Sequence, residues 1–62
     1  MTTLRAMIEP FFLCTRIVIE NDVHSKVLYK GSMDKVPKKF LDMFCVDAFI
    51  DGALYVAVRK EA

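Results

Sequence analysis

Two apolar runs meet at Asp51-Gly52: FCVDAFI precedes the pair and ALYVAV follows it. An Asp-Gly pair between such runs predicts a hairpin. A two-residue type I′ turn needs positive φ at both central positions, which Gly takes freely and Asp tolerates. With that loop, Ile50 faces Ala53, Phe49 faces Leu54, Asp47 faces Val56 and Cys45 faces Val58. One face then carries Cys45, Phe49, Leu54, Val56 and Val58, with Asp47 among them, and the other carries Val46, Ala48, Ile50, Ala53, Tyr55 and Ala57. A longer loop shifts the register by one and leaves both faces apolar.

Upstream the period changes. Leu4, Met7 and Ile8 recur at helical spacing behind Thr2 and Thr3, either of which can accept from an unpaired helix N–H, and Pro10 ends the element after about two turns. Phe11, Phe12 and Leu13 lead into Arg16–Glu20, whose β-branched alternation predicts a strand. Asn21–Ser25 supplies turn chemistry and Lys26–Lys30 returns. A five-residue loop sets Glu20 against Lys26 as an ion pair, Ile19 against Val27, Val18 against Leu28 and Ile17 against Tyr29. Gly31-Ser32 closes this hairpin. Pro37 suits the first position of a short helix over Pro37–Asp42, with Phe40, Leu41 and Met43 inward and Lys38 and Lys39 outward.

The expected order is α-ββ-α-ββ: one small α+β domain over residues 1–62, with a four-stranded, mainly antiparallel sheet and two short helices. Hydrophobic residues make up 55% of the chain, above the roughly 45–50% usual for globular domains. A chain this short buries only about 60% of its unfolded surface. Two short helices cover one face of a sheet but not both. The apolar excess therefore predicts a homo-oligomer or a protein partner, with Val46, Ala48, Ile50, Tyr55 and Ala57 as the contact face.

Charge adds a second reading. The net charge of +1 excludes a strongly polyanion-seeking chain, yet Lys30, Lys35, Lys38 and Lys39 fall within ten residues, and Arg16 and Arg59 extend the set. Those six are the candidate nucleic-acid contacts, since phosphate binding needs little more than such a patch. Lysines also sit unfavourably near a helix N-terminus, a hint that another role keeps them there.

Chemistry is sparse. His24, the sole histidine, sits in a loop with Asp22 two positions earlier, and the expectation is a solvated turn histidine. Cys14 and Cys45 read as reduced, buried thiols without metal-ligand spacing, and Gly31 and Gly52 are isolated turn glycines. No catalytic, metal or cofactor residue is assigned, so the chain is expected not to be an enzyme. Asp47 stands out as a mid-strand carboxylate on an apolar face, expected to be exposed at an edge or else paired with Arg16 or Arg59 across a subunit interface. No apolar run approaches the roughly 18 residues that a bilayer span requires. MTTLRAMIEPFFLC lacks the basic start and unbroken apolar core of a signal peptide, so the expected location is cytoplasmic, without membrane association.

The succession "TLRAMI", "IVIEND", "KVLYKGSMDKVPKKFLDMFCVDAFIDG" and "LYVAV" resembles a class of very short α+β proteins encoded by phages and mobile elements of Gram-positive gut bacteria. Its marks are Tyr29-Lys30-Gly31 at a strand end, Asp34-Lys35-Val36-Pro37 at a helix start, and Asp51-Gly52 in the hairpin. They are turn and cap residues, so the resemblance implies a genomic setting and no activity. The expected function is a non-enzymatic binding protein that self-associates and can inhibit a host protein. The alternative is a small oligomeric nucleic-acid binder.

Overall fold

The computed structural model describes residues 2–11 and 15–60. Phe12, Leu13 and Cys14, and with them the expected buried thiol at Cys14, lie outside the described residues. The elements run α1 (Leu4–Ile8), β1 (Arg16–Asn21), β2 (Val27–Ser32), a 3-10 turn (Met33–Lys35), α2 (Lys38–Leu41), β3 (Phe44–Ile50) and β4 (Leu54–Arg59). This is the α-ββ-α-ββ order of an α+β domain.

The sheet order is β2-β1-β4-β3. Each hairpin is antiparallel, but β1 and β4 pair in parallel at the centre, making the sheet mixed. Burial explains which strands are central. Ile17, Val18 and Ile19 of β1 and Leu54, Val56, Ala57 and Val58 of β4 are all buried, whereas β2 and β3 carry none of the buried core. The two most buried strands take the central place, with helices covering one face of the parallel pair.

All the helical elements pack on one face. Leu4 of α1, Met33 of the 3-10 turn, Val36 and Phe40 of α2 meet Ile17, Ile19, Leu54, Val56 and Val58 in a single core. Thr3 caps α1, its hydroxyl accepting from the Ala6 N–H at 3.4 Å. Pro37 sits outside α2 as its N-cap with an extended ψ of 139°, so the helix is shorter than the expected Pro37–Asp42. Phe40 is buried, while Leu41 and Met43 pack on the core from its margin.

Both hairpin registers differ from expectation, through a loop one residue longer than expected together with a bulge. In the second, Cys45 faces Val58 as expected, but Val46 is an extra residue, and beyond it Asp47 faces Ala57, Ala48 faces Val56, Phe49 faces Tyr55 and Ile50 faces Leu54. The loop is Asp51-Gly52-Ala53, three residues rather than two, with Gly52 at φ 74°. The physical reason is Asp47. In the uniform register it shares a face with Leu54, Val56 and Val58, the core side. The bulge turns it to the other face, where a carboxylate stays solvated.

In the first hairpin Glu20 faces Val27, Ile19 faces Tyr29, Val18 faces Lys30, Ile17 faces Gly31 and Arg16 faces Ser32. The expected Glu20–Lys26 pair does not form: Glu20 faces Val27 and its carboxylate meets His24, while the Lys26 carbonyl closes the loop by accepting from Asn21 N–H at 3.0 Å. Val27 is displaced from the expected core set to the surface, and Gly31 takes the position facing Ile17, beside the Tyr29 ring.

Candidate functional site

The sheet face away from the helices is open, and its side chains fall in rows across the strands. One row is Lys30 (β2), Val18 (β1), Tyr55 (β4) and Phe49 (β3). Phe49 and Tyr55 stack, ring centroids 5.0 Å apart and 3° from parallel. Val18 is buried although no helix covers it, so its neighbours in the row shield it. Beside this row an open cavity of about 250 Å³ is bounded by Arg16, Lys30, Tyr55, Asp51 and Gly52. Among the described residues neither Arg16 nor Lys30 makes an ion pair.

The next row is Glu20 (β1), Ala57 (β4) and Asp47 (β3). The β1–β2 loop folds over it. Asn21 organises that loop: its side-chain oxygen accepts from Ser25 N–H at 2.8 Å and Lys26 N–H at 3.3 Å, and its amide donates to the Ser25 hydroxyl at 2.8 Å. The loop thereby presents His24 at φ 58°, the left-handed region. His24 Nδ1 lies 3.2 Å from Glu20 Oε1 and Nε2 lies 3.3 Å from Asp47 Oδ2. The imidazole thus spans Ala57, which is wholly buried. Asp22 pairs with Arg59 of β4 at 3.6 Å rather than with His24. His24 is the exposed turn histidine expected and Asp47 is exposed on an edge strand as expected, but the two meet, and the ring also reaches Glu20.

The third feature is the free edge of β3. Its start is covered: Cys45 N–H donates to Thr2 O and Leu4 N–H donates to Met43 O, both at 2.8 Å. From Val46 to Ile50 the outer edge has no strand partner among the described residues. There Phe49 is 47% exposed and Ile50 71%.

The bulge divides the expected contact face. Ala48 and Ile50 share the helix side with Val56 and Leu54, Tyr55 and Ala57 lie on the open side, and Val46 is the bulged residue. Ala57, wholly buried, stands between Glu20 and Asp47, the two carboxylates that His24 bridges. The six basic residues also separate. Arg16, Lys30 and Arg59 belong to strands and Lys35, Lys38 and Lys39 to the helical layer, where Lys39 Nζ stands 5.1 Å from the Phe40 ring centroid. The His24 clamp was missed from sequence, since its partners lie 4 and 23 residues away and the second needs the bulge. A signal existed in Asp47, an unexplained carboxylate in need of a partner.

Burial pushes the Cys45 thiol up, with the Asp47 charge adding to the rise and a backbone hydrogen bond at Asp47 opposing it. Among the described residues no group of three His, Cys, Asp or Glu side chains is arranged to hold a metal, and no helix is long and apolar enough to cross a membrane. No protein-family model, curated protein or solved structure matches the chain.

Proposed function

We propose that the protein is a non-enzymatic binding module that engages other polypeptides, beginning with copies of itself. The observation that carries this reading is the unpaired outer edge of β3 from Val46 to Ile50, ending in exposed Phe49 and Ile50. An unpaired strand edge recruits another strand through backbone hydrogen bonds, and neighbouring apolar side chains give the contact its selectivity. Natural edges are guarded by Lys, Pro, other charges or bulges; β3 has its bulge at Val46 and its charge at Asp47, which leaves Ala48–Ile50 without such a guard. Its one charge, Asp47, is turned onto the open face toward His24. A host protein docking on the same edge, in a cytoplasm that also houses phage or mobile-element products, extends the reading suggested by the sequence resemblance.

Sedimentation velocity across micromolar concentrations tests this. The wild-type chain is expected to sediment as a dimer or larger species and Ile50→Lys as a monomer. A 7.1 kDa species throughout overturns self-association.

A second reading, nucleic-acid binding, is favoured by the row Lys30–Val18–Tyr55–Phe49 with Arg16 beside it. Cations next to stacked aromatic rings suit a single strand, whose phosphates and bases need those two chemistries. Anisotropy of labelled single-stranded DNA, titrated at low and physiological salt, is expected to show salt-sensitive binding. Arg16→Glu with Lys30→Glu should abolish it, while Lys38→Glu with Lys39→Glu should weaken it less. No binding at low salt removes this reading and leaves the β3 edge.

A further inference from the structure

We propose that the β1–β2 loop is a proton-operated latch: His24 fastens it across β4 to β3 through Asp47, and loss of the imidazole charge lets it lift from the open face. This goes beyond binding at the β3 edge and rests on the clamp itself. A neutral imidazole has one N–H donor and one lone pair, so it can donate to only one carboxylate. Here both ring nitrogens face carboxylate oxygens, at 3.2 Å and 3.3 Å. The arrangement is satisfied on both sides only by the doubly protonated, charged ring. In the neutral ring one nitrogen turns a lone pair toward an anion.

The two contacts differ in what they hold. Glu20 is four residues from His24 in the same hairpin, so that bond only tightens the loop. Asp47 belongs to β3, so that bond ties the loop to the far hairpin. The anchor is fixed: Asp47 Oδ1 accepts from Ala48 N–H at 2.9 Å while Oδ2 faces the ring. The loop is also shaped for the role, since Asn21 gathers Ser25 and Lys26 and brings His24 out at φ 58°. The row beneath is cut to match, because Ala57 between Glu20 and Asp47 has no side chain beyond Cβ to lift the ring.

The remaining charged groups around the loop are Asp22 and Arg59, paired with each other at 3.6 Å, and Lys26, which is exposed. The Glu20 hydrogen bond is the largest influence on the ring and raises its pKa above the ordinary 6.5, desolvation opposes the rise, and Asp47 adds to it. A group raised on folding stabilises the closed form fully below its unfolded value, and that contribution is lost as pH climbs through the raised value. The latch is therefore closed in mild acid and opens with increasing pH, uncovering Ala57 between Glu20 and Asp47.

NMR of the full isotopically labelled chain tests it. The expected result is a His24 midpoint above 6.5 that moves down in Asp47→Asn, with a nuclear Overhauser contact between the ring and the Ala57 methyl that is strong in acid and fades through the titration. His24→Asn, which tolerates the left-handed backbone, should remove the pH dependence of the Ala57 methyl shift. Asp47 is well exposed, so its substitution leaves the fold intact. An Asp47→Asn midpoint equal to that of the wild type, or a ring–Ala57 contact that persists unchanged above the midpoint, overturns the latch.

Discussion

Phe49 and Tyr55 stand directly opposite on β3 and β4, their rings 5.0 Å apart and within 3° of parallel. The pair exists because the hairpin loop holds three residues, since a two-residue loop would have set Phe49 against Leu54. Cross-strand aromatic pairs of this kind are worth about 0.5–1.5 kcal/mol beyond the area they bury. A double-mutant cycle with Phe49→Leu and Tyr55→Leu, read by urea unfolding, should return a coupling energy in that range. Additive single changes would show the rings to be neighbours without mutual stabilisation.

The same hairpin shows how far the pattern carries. Asp51-Gly52 located the turn, and the apolar runs located both strands, because those signals are local. Register was not local. It was decided by the cost of placing Asp47 with Leu54 and Val56 and by the Val46 bulge that avoids it. The parallel β1–β4 pairing is likewise invisible in either hairpin alone. It follows only when the burial of Ile17–Ile19 is weighed against that of Val56–Val58.

Leu4 and Arg5 are adjacent in α1 and should respond very differently to alanine. Leu4 is fully buried against the sheet, and its N–H also pairs with Met43 O. Leu4→Ala should cost about 2–5 kcal/mol, comparable to the whole stability a single small core supplies, so much of the chain should be unfolded by circular dichroism. Arg5 makes a 3.0 Å ion pair with Asp42, but both side chains are more than half exposed. Arg5→Ala should lie within about 1 kcal/mol of wild type.

Two glycines should resist alanine for different reasons. Gly52 has open space around it but sits at φ 74°, so Gly52→Ala should cost about 1 kcal/mol in backbone strain alone. At Gly31 a Cβ would come within 3.0 Å of the Tyr29 hydroxyl oxygen, which is itself held by donating to Ser32 O at 2.8 Å. Gly31→Ala should therefore lose about 1–3 kcal/mol, and Tyr29→Phe in the same background should recover part of it by freeing the ring to move. Equal recovery at Gly52 would show that Tyr29 is not the obstacle.

The site was less legible than the fold, for the same physical reason. The separation of Asn21 from Lys26 announces a turn, but nothing local says that the turn folds back over β4. His24 reaches Asp47 only because β1 and β4 are neighbours and the bulge turns the carboxylate outward. The basic cluster is divided by the fold in a way its spacing does not announce. Lys30, Lys35, Lys38 and Lys39 are close in sequence, yet the strand end at Ser32 sends Lys30 to the sheet and the others to the helical layer.

Cys45 gives the last prediction, through the chemistry of its thiol. It faces Val58 and packs on the core margin, and burial pushes its pKa up from the ordinary 9.0. The thiolate is the reactive form, so in the folded chain at pH 8 iodoacetamide should modify Cys45 roughly tenfold or more slowly than in urea, as read by mass spectrometry of the peptide containing it. The raised value has a consequence for stability as well. The neutral thiol is favoured in the fold, so this contribution is complete below about pH 9 and falls as pH rises through the folded value, where the unfolded chain is already ionised. Cys45→Ala should therefore lose less stability than wild type as pH rises above the ordinary thiol value of 9.0, as read by urea unfolding across that range. Parallel losses in the two proteins would mean that other groups, not this thiol, govern the alkaline limit.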